Sequence, residues 1–336
     1  FELQRMEKDN SATQIELILV NVSSDNDDEP SCVAGLLDRL LSRVSCYESS
    51  DWCQHGRNDD SPFRCINDGI RNDVERFVRI HDKLLALAAI LLKSRAFFQA
   101  TDAAREANPS SILVRLPRTI HNKPYIPRKN KCKDHDDDED DATLSISHHF
   151  PFVGAAQRKL REENSRLKIG LDIVVREPLN TRLYDTWDNY LQVFQESFHN
   201  KEWKIIRFET DPESRLHEFL LRWATKEAYT KALGVGLGFD FANFLVQFEL
   251  PESCHGQLRE YLWANQSESD RSPIRLRGKV AVDGLTPQDE LWDFYFGSLS
   301  PDMWSWFCVA VGPVGIASCS NVQVRWTTLE RLIAES

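Results

Sequence analysis

The chain has 336 residues, 41% hydrophobic and 28% charged, with a formal net charge of −11; this is ordinary globular composition, with room for one large domain or two of common size. The acidity speaks against a general nucleic-acid binder, which carries a basic surface, although a few placed cations can still hold an anionic ligand inside an acidic molecule. No apolar run approaches a membrane span, and eight cysteines scattered without a C-x-x-C pair argue against zinc or a disulfide framework and for a soluble protein in a reducing, cytoplasmic setting. The chain opens at Phe1 rather than Met, so a trimmed targeting segment, and with it an organellar location, stays open.

In chain order, residues 14–22 (QIELILVNV) alternate well enough for a first strand. Residues 23–64 mix Asp, Ser, Asn and Pro around one short helical pattern at Val33–Leu41 and read as a surface elaboration. Between Asp73 and Ala100 apolar residues recur at helical spacing (Phe77, Leu84, Leu85, Ala88, Leu91, Leu92), predicting a long helix or a helix pair. A short strand at Ile112–Leu116 precedes the loop Pro117–Arg128. The acidic run Asp134–Asp141, within an insertion near 131–141, repels itself and contains nothing apolar, so it reads as a solvated loop rather than a metal site.

Strands are expected at Thr143–Ser147 and Phe152–Ala156, and a buried one at Ile169–Val175 after the charged connector Arg158–Lys168. Helices follow at Asp188–Phe198 and Glu213–Leu233, then strands at Phe244–Leu250, Lys279–Val282, Trp292–Phe296 and Trp306–Val311. Each half offers strands and a long helix, which predicts an α+β fold in two halves, 1–165 and 166–336.

The chemistry concentrates in a few segments. On the helix Trp223-Ala224-Thr225-Lys226-Glu227-Ala228-Tyr229-Thr230-Lys231, the residues Leu220, Trp223, Glu227 and Lys231 share one stripe, and Lys226 points away from it. An i, i+4 Glu–Lys pair is usually a surface ornament of a few tenths of a kcal/mol. Here it continues a stripe that begins as core, where a charge needs a partner, a metal or a ligand. Asp172 interrupts the apolar strand Ile169–Val175 in the same way; a strand-end Asp capping a turn is the equal alternative. Two carboxylates suit a hard cation such as Mg²⁺, which completes its shell with water and phosphate oxygens. The segments Arg118-Thr119-Ile120-His121-Asn122-Lys123-Pro124 and Ser145-Ile146-Ser147-His148 add the cationic and hydroxyl donors that a multi-phosphate ligand requires.

Taken together, Gly170-Leu171-Asp172 followed by the Trp223–Lys231 segment resembles the hallmark of the 4′-phosphopantetheinyl transferase superfamily, G-[IVL]-D and then W-[AS]-x-K-E-[AS]-x-x-K. The resemblance, to the long Sfp-like branch and its animal members, runs from about Phe77 to Val311. It extends to Asn200–Trp203, to Gly234–Phe239, and to the loops that match R-T-x-x-G-K-P and N-x-S-H. It implies two pseudo-symmetric halves, each a long helix on a small antiparallel sheet, with coenzyme A in the cleft between them. It further implies a monomer acting on apo acyl carrier protein or the carrier domains of fatty-acid, polyketide or peptide synthases. Asp172 and Glu227 would then bind Mg²⁺, Glu227 would accept the acceptor serine's proton, and Lys231 would neutralise phosphate charge. Arg118, Lys123, Ser145, Ser147 and His148 would hold the 3′-phosphate and adenine side of coenzyme A.

The sequence departs from the pattern in places. A third acid found in many bacterial relatives is Val174 here, and His149 is a candidate for the metal shell through water, against the alternative of a packed or solvent-facing ring. Asn122 replaces a glycine, which its tolerance of unusual turn dihedrals permits. A cation expected four residues before Phe77 is Asp73, with Arg71, Arg76 and Arg79 as substitutes. These gaps keep a non-catalytic coenzyme A binder as a rival. The run Gly234–Gly238 (GVGLG) invites an oxidoreductase reading, but it closes a helix instead of opening one, so its glycines are expected to end that helix.

Overall fold

The computed structural model describes residues 13–23, 30–41, 45–48, 67–101, 112–126, 144–158, 167–235, 238–266, 272–283, 290–315 and 320–335. The acidic run 134–141, most of the connector to residue 168 and much of the 23–64 elaboration lie outside them. Strand β1 (Thr13–Asn21), helix α1 (Pro30–Leu41), β2 (Ser45–Glu48), α2 (Asn67–Glu75), α3 (Ile80–Ala100) and β3 (Ile112–Arg115) open the chain. Next come β4 (Leu144–His149), β5 (Phe152–Arg158) and β6 (Lys168–Val175), then α4 (Trp187–Gln192), α5 (Asn200–Ile206) and α6 (Pro212–Leu233). The last elements are β7 (Phe244–Phe248), α7 (Leu258–Asn265), β8 (Ile274–Val282), β9 (Glu290–Ser298), β10 (Ser305–Gly312), β11 (Ser320–Thr328) and α8 (Leu329–Ala334).

The fold is α+β. One sheet has the order β11-β1-β5-β4, a second the order β6-β10-β9-β8-β7, and β2 pairs with β3. The second sheet is antiparallel throughout. The first is not, which corrects the expectation of a purely antiparallel sheet: β1 and β11 run parallel, from Thr13 opposite Ser320 to Asn21 opposite Thr328. The chain therefore returns at its far end to the sheet in which it began. Parallel neighbours need a long crossover, and here the whole second sheet lies inside it.

Burial explains the strand patterns. β1 is apolar nearly throughout because both its faces are covered. Ile18 and Val20 pack beneath α3 with Leu84, Leu91 and Phe97, while Ile15, Leu17 and Leu19 face the second sheet. There they meet Ile169, Leu171 and Ile173 of β6 and Phe307, Val309 and Val311 of β10. The opposite face of the second sheet, with Trp292, Phe294 and Trp306, packs against Leu221, Ala224, Ala228 and Ala232 of α6. The order of layers is thus helix, sheet, sheet, helix. Among the described residues, no helix is long and apolar enough to cross a membrane.

Local chemistry fixes α6. Asp211 accepts the Ser214 N–H at 2.8 Å as N-cap, Pro212 occupies the first turn, and Gly234 ends the helix in the left-handed region at φ 79°. The GVGLG run thus begins as a helix terminator; Gly236 and Leu237 lie outside the described residues. The helix lies unusually close on β6. A Cβ on Gly170 would stand 1.9 Å from the Ala228 carbonyl oxygen and 2.4 Å from the Ala232 nitrogen. Only glycine admits that approach.

Candidate active site

The tight crossing at Gly170 brings the end of α6 over the middle of β6. Lys231 Nζ lies 2.5 Å from Asp172 Oδ1 and donates to Ser147 Oγ at 3.0 Å. The Ser147 hydroxyl in turn donates to Asp172 Oδ1 at 3.0 Å and accepts the Ile173 N–H at 3.2 Å. Asp172 is 5% exposed, so its charge is met by a lysine and a hydroxyl rather than by bulk water, as a buried carboxylate requires. Glu227, one turn before Lys231, lines a cavity of about 480 Å³ together with Asp172 and Lys231. Burial raises the Glu227 carboxyl above its usual range; Lys231 opposes the shift and Asp172 adds to it. The apolar wall of this cavity is Tyr190, Phe194, Phe219, Leu220 and Trp223, held by edge and tilted contacts among the rings.

A second cavity of about 670 Å³ adjoins the first and shares Lys231, His148 and Ile146 with it. Its lining is strongly cationic: Arg76, Lys93, Arg115, Arg118, Lys123 and Lys231 against Asp73 and Asp82. Burial, then Arg118, Arg76 and Arg115, bring the Lys93 ammonium down to about 8, with Asp73 opposing. Such crowding of like charge is the electrostatic mark of an anion site. His148 is also pushed below the ordinary imidazole value, by burial and then by Lys231 and Lys93.

The loop Arg118–Pro124 is clipped on itself and to the far side of the cleft. Arg118 donates to the Asn122 carbonyl at 3.1 Å, and Asn122 takes φ 66°, the left-handed turn that a glycine would otherwise supply. Lys123 crosses to donate to the carbonyls of Ile169 (3.1 Å) and Ala232 (3.2 Å), and burial lowers its value to about 7. Arg118, Lys123, Ser145 and His148 therefore line the large cavity, while Ser147 faces the smaller one. The Ser145 hydroxyl accepts the Leu171 N–H at 2.9 Å.

Several expectations change. Lys226, which points away from the Glu227 stripe, points into the core: it is fully buried, donates to the carbonyls of Phe241 (2.8 Å) and Phe244 (2.6 Å), and pairs with Glu202 at 2.8 Å. Both nitrogens of His149 are engaged, Nδ1 by the Val175 N–H and Nε2 by Glu177, so the ring ties β4 to the end of β6 at the edge of the smaller cavity, which it also lines. Val174 is buried in the core beneath α6. Of the three candidate early cations, Arg76 lines the large cavity, whereas Arg71 is paired with Asp38 and Glu75. Asp73 itself pairs with Arg115 at 3.3 Å. Lys93 was missed; its one signal is a charge ending the apolar run Leu84–Leu92.

As to a metal, no three His, Cys, Asp or Glu side chains cluster among the described residues. Asp172 and Glu227 supply two hard oxygen donors to one cavity. That set fits a cation that keeps water and substrate oxygens in its shell, as Mg²⁺ does, and not a closed structural site.

Residues 168–276, the segment that holds Gly170, Asp172, Glu227 and Lys231, match the family model of the 4′-phosphopantetheinyl transferase superfamily. The chain is similar to the human L-aminoadipate-semialdehyde dehydrogenase-phosphopantetheinyl transferase, 27% identical over 187 residues that cover 56% of this chain and 53% of the relative. It is similar to the Schizosaccharomyces pombe protein of the same name, 27% identical over 273 residues covering 80% and 90%. It also matches the 4′-phosphopantetheinyl transferase pptA of Paxillus involutus, 23% identical over 207 residues covering 61% and 72%. The chain spans about half the length of the human and mouse relatives it matches.

Proposed function

We propose that this chain is a 4′-phosphopantetheinyl transferase, moving the phosphopantetheine arm of coenzyme A to a serine of an apo carrier protein or carrier domain. The observation that carries the reading is the convergence of Asp172, Glu227 and Lys231 on one cavity that opens into a larger, cation-lined one. The larger cavity has the charge for the 3′-phosphate, from Arg76, Lys93, Arg115 and Arg118. The smaller has an apolar wall and the groups for transfer. Two helix-on-sheet units, one built on α3 and one on α6, flank this cleft, and we read them as the family's pseudo-symmetric halves, 1–165 and 166–336, apart from β11 and α8.

In the reaction, the acceptor serine oxygen forms a bond to the pantetheine-bearing phosphorus as the pyrophosphate P–O bond breaks. The electron pair leaves with 3′,5′-adenosine bisphosphate, and the serine proton passes to Glu227. Burial raises the basicity of Glu227, which suits a general base working near neutral pH. Lys231 carries a fixed positive charge beside the transferring phosphate, in a partly desolvated site where that charge acts strongly. Asp172 and Glu227 would hold Mg²⁺, which when bound polarises phosphoryl oxygens and screens developing charge. Catalysis then rests on positioning and electrostatics.

The test is to incubate the chain with apo carrier protein, coenzyme A and Mg²⁺. The carrier should gain the mass of one phosphopantetheine. No gain across a panel of apo carriers overturns the reading, and coenzyme A binding without turnover assigns the chain to the binder class instead.

A further inference from the structure

Among the groups expected to touch the coenzyme, Ser147 has its hydroxyl fully engaged inside the protein. Its side chain is 4% exposed. A serine hydroxyl has one proton to donate and two lone pairs with which to accept. All three are used within the protein: the proton by Asp172 Oδ1 (3.0 Å), the lone pairs by the Ile173 N–H (3.2 Å) and by Lys231 Nζ (3.0 Å). Nothing is left for a ligand phosphate, and a phosphate could gain the hydroxyl only by stripping it from a buried carboxylate.

The connectivity is informative as well. β4 and β6 belong to different sheets, and the Ser147 hydroxyl bridges the seam between them. It touches Asp172 and Lys231 at once, and the backbone bond from Ile173 fixes it to the strand that carries Asp172. Asp172 reaches the cavity from β6 and Lys231 from the last turn of α6. Ser147, on a third element, fixes their relative placement.

We propose that Ser147 is a positioning residue for phosphoryl transfer, setting Asp172 and Lys231 against each other, and not a coenzyme contact. This rests on the transferase reading, since it assigns Asp172 and Lys231 their work. Losing an interaction that serves only the transition state lowers kcat without weakening ground-state binding, and a small misplacement of reacting groups costs on the order of a hundredfold in rate.

The experiment compares wild type with Ser147→Ala and Ser147→Thr. Coenzyme A affinity is measured by calorimetry without acceptor, and transfer kinetics are measured with an apo carrier. The alanine variant should bind coenzyme A within about twofold of wild type, keep its KM for coenzyme A, and lose roughly a hundredfold in kcat. The threonine variant, which keeps the hydroxyl, should recover most of that loss. A tenfold or greater fall in coenzyme A affinity with kcat preserved overturns the proposal, and so does an alanine variant with unchanged kcat. If the alanine variant does not fold, the near-isosteric Ser147→Cys, whose thiol is a poor donor and acceptor, carries the same comparison. A wild type that binds coenzyme A but transfers nothing refutes the transferase reading instead; the binding comparison still decides whether Ser147 contacts the coenzyme.

Discussion

Replacing Lys226 by Met tests how α6 is held in rotation. The Lys226 ammonium is buried with three oxygen neighbours, the carbonyls of Phe241 and Phe244 and Glu202 Oε2, and lies 3.8 Å over the Phe244 ring. Its side chain and that of Glu202 are 0% and 2% exposed. Burial lowers the Lys226 value and Glu202 opposes the shift. Removing the lysine leaves Glu202 buried without its counter-charge, and breaking such a pair costs about 3–5 kcal/mol. The two abandoned carbonyls add to this, at roughly 1–3 kcal/mol each when orphaned, though not additively. Glu202→Leu alone should cost a similar amount, because it strands the ammonium. The double variant Lys226→Met/Glu202→Leu removes both charges and should be much less destabilised than the sum, with a coupling energy of about 2–4 kcal/mol. Urea unfolding followed by tryptophan fluorescence measures all four corners of the cycle. Additivity within about 0.5 kcal/mol, or single variants costing under about 1 kcal/mol, would refute the argument.

Three further outcomes follow from the same geometry. Gly170→Ala should destabilise severely, by several kcal/mol or to the point of insoluble expression, since its Cβ meets the backbone of α6 at 1.9 Å; a variant with wild-type thermal stability would contradict the close crossing. Lys123 titrates near 7 in the fold against an ordinary 10.5, so between those values the unfolded chain binds a proton that the folded chain has released. Stability should therefore rise with pH over that window by up to about 1.4 kcal/mol per unit from this group, and Lys123→Met should flatten the rise in urea titrations at pH 7 to 9. Because Glu227 is raised by burial, transfer should fail on acidification at a pH above the ordinary carboxylate range, as the base becomes protonated. A pH–rate profile in which activity persists down to pH 4.5 would remove Glu227 from the role of base.

The sequence by itself determined the helix that carries Glu227 and Lys231, its end at Gly234, and the apolar strand broken by Asp172. Those are short-range matters of periodicity, capping and composition, and residues four apart on a helix face the same way whatever surrounds them. Tertiary structure decided what each face meets. Lys226 looked like the outward charge, yet α5 and the segment 241–244 close over that side with a carboxylate and two carbonyls. Lys93 becomes part of a cationic cavity only because α3 packs beside β3 and the 118–124 loop. β11 joins the first sheet across the whole intervening chain, and the Ser147 hydroxyl is consumed by partners 25, 26 and 84 positions away. No local pattern encodes such partners, because a hydrogen bond or an ion pair between distant segments depends on which surfaces the packed core brings together.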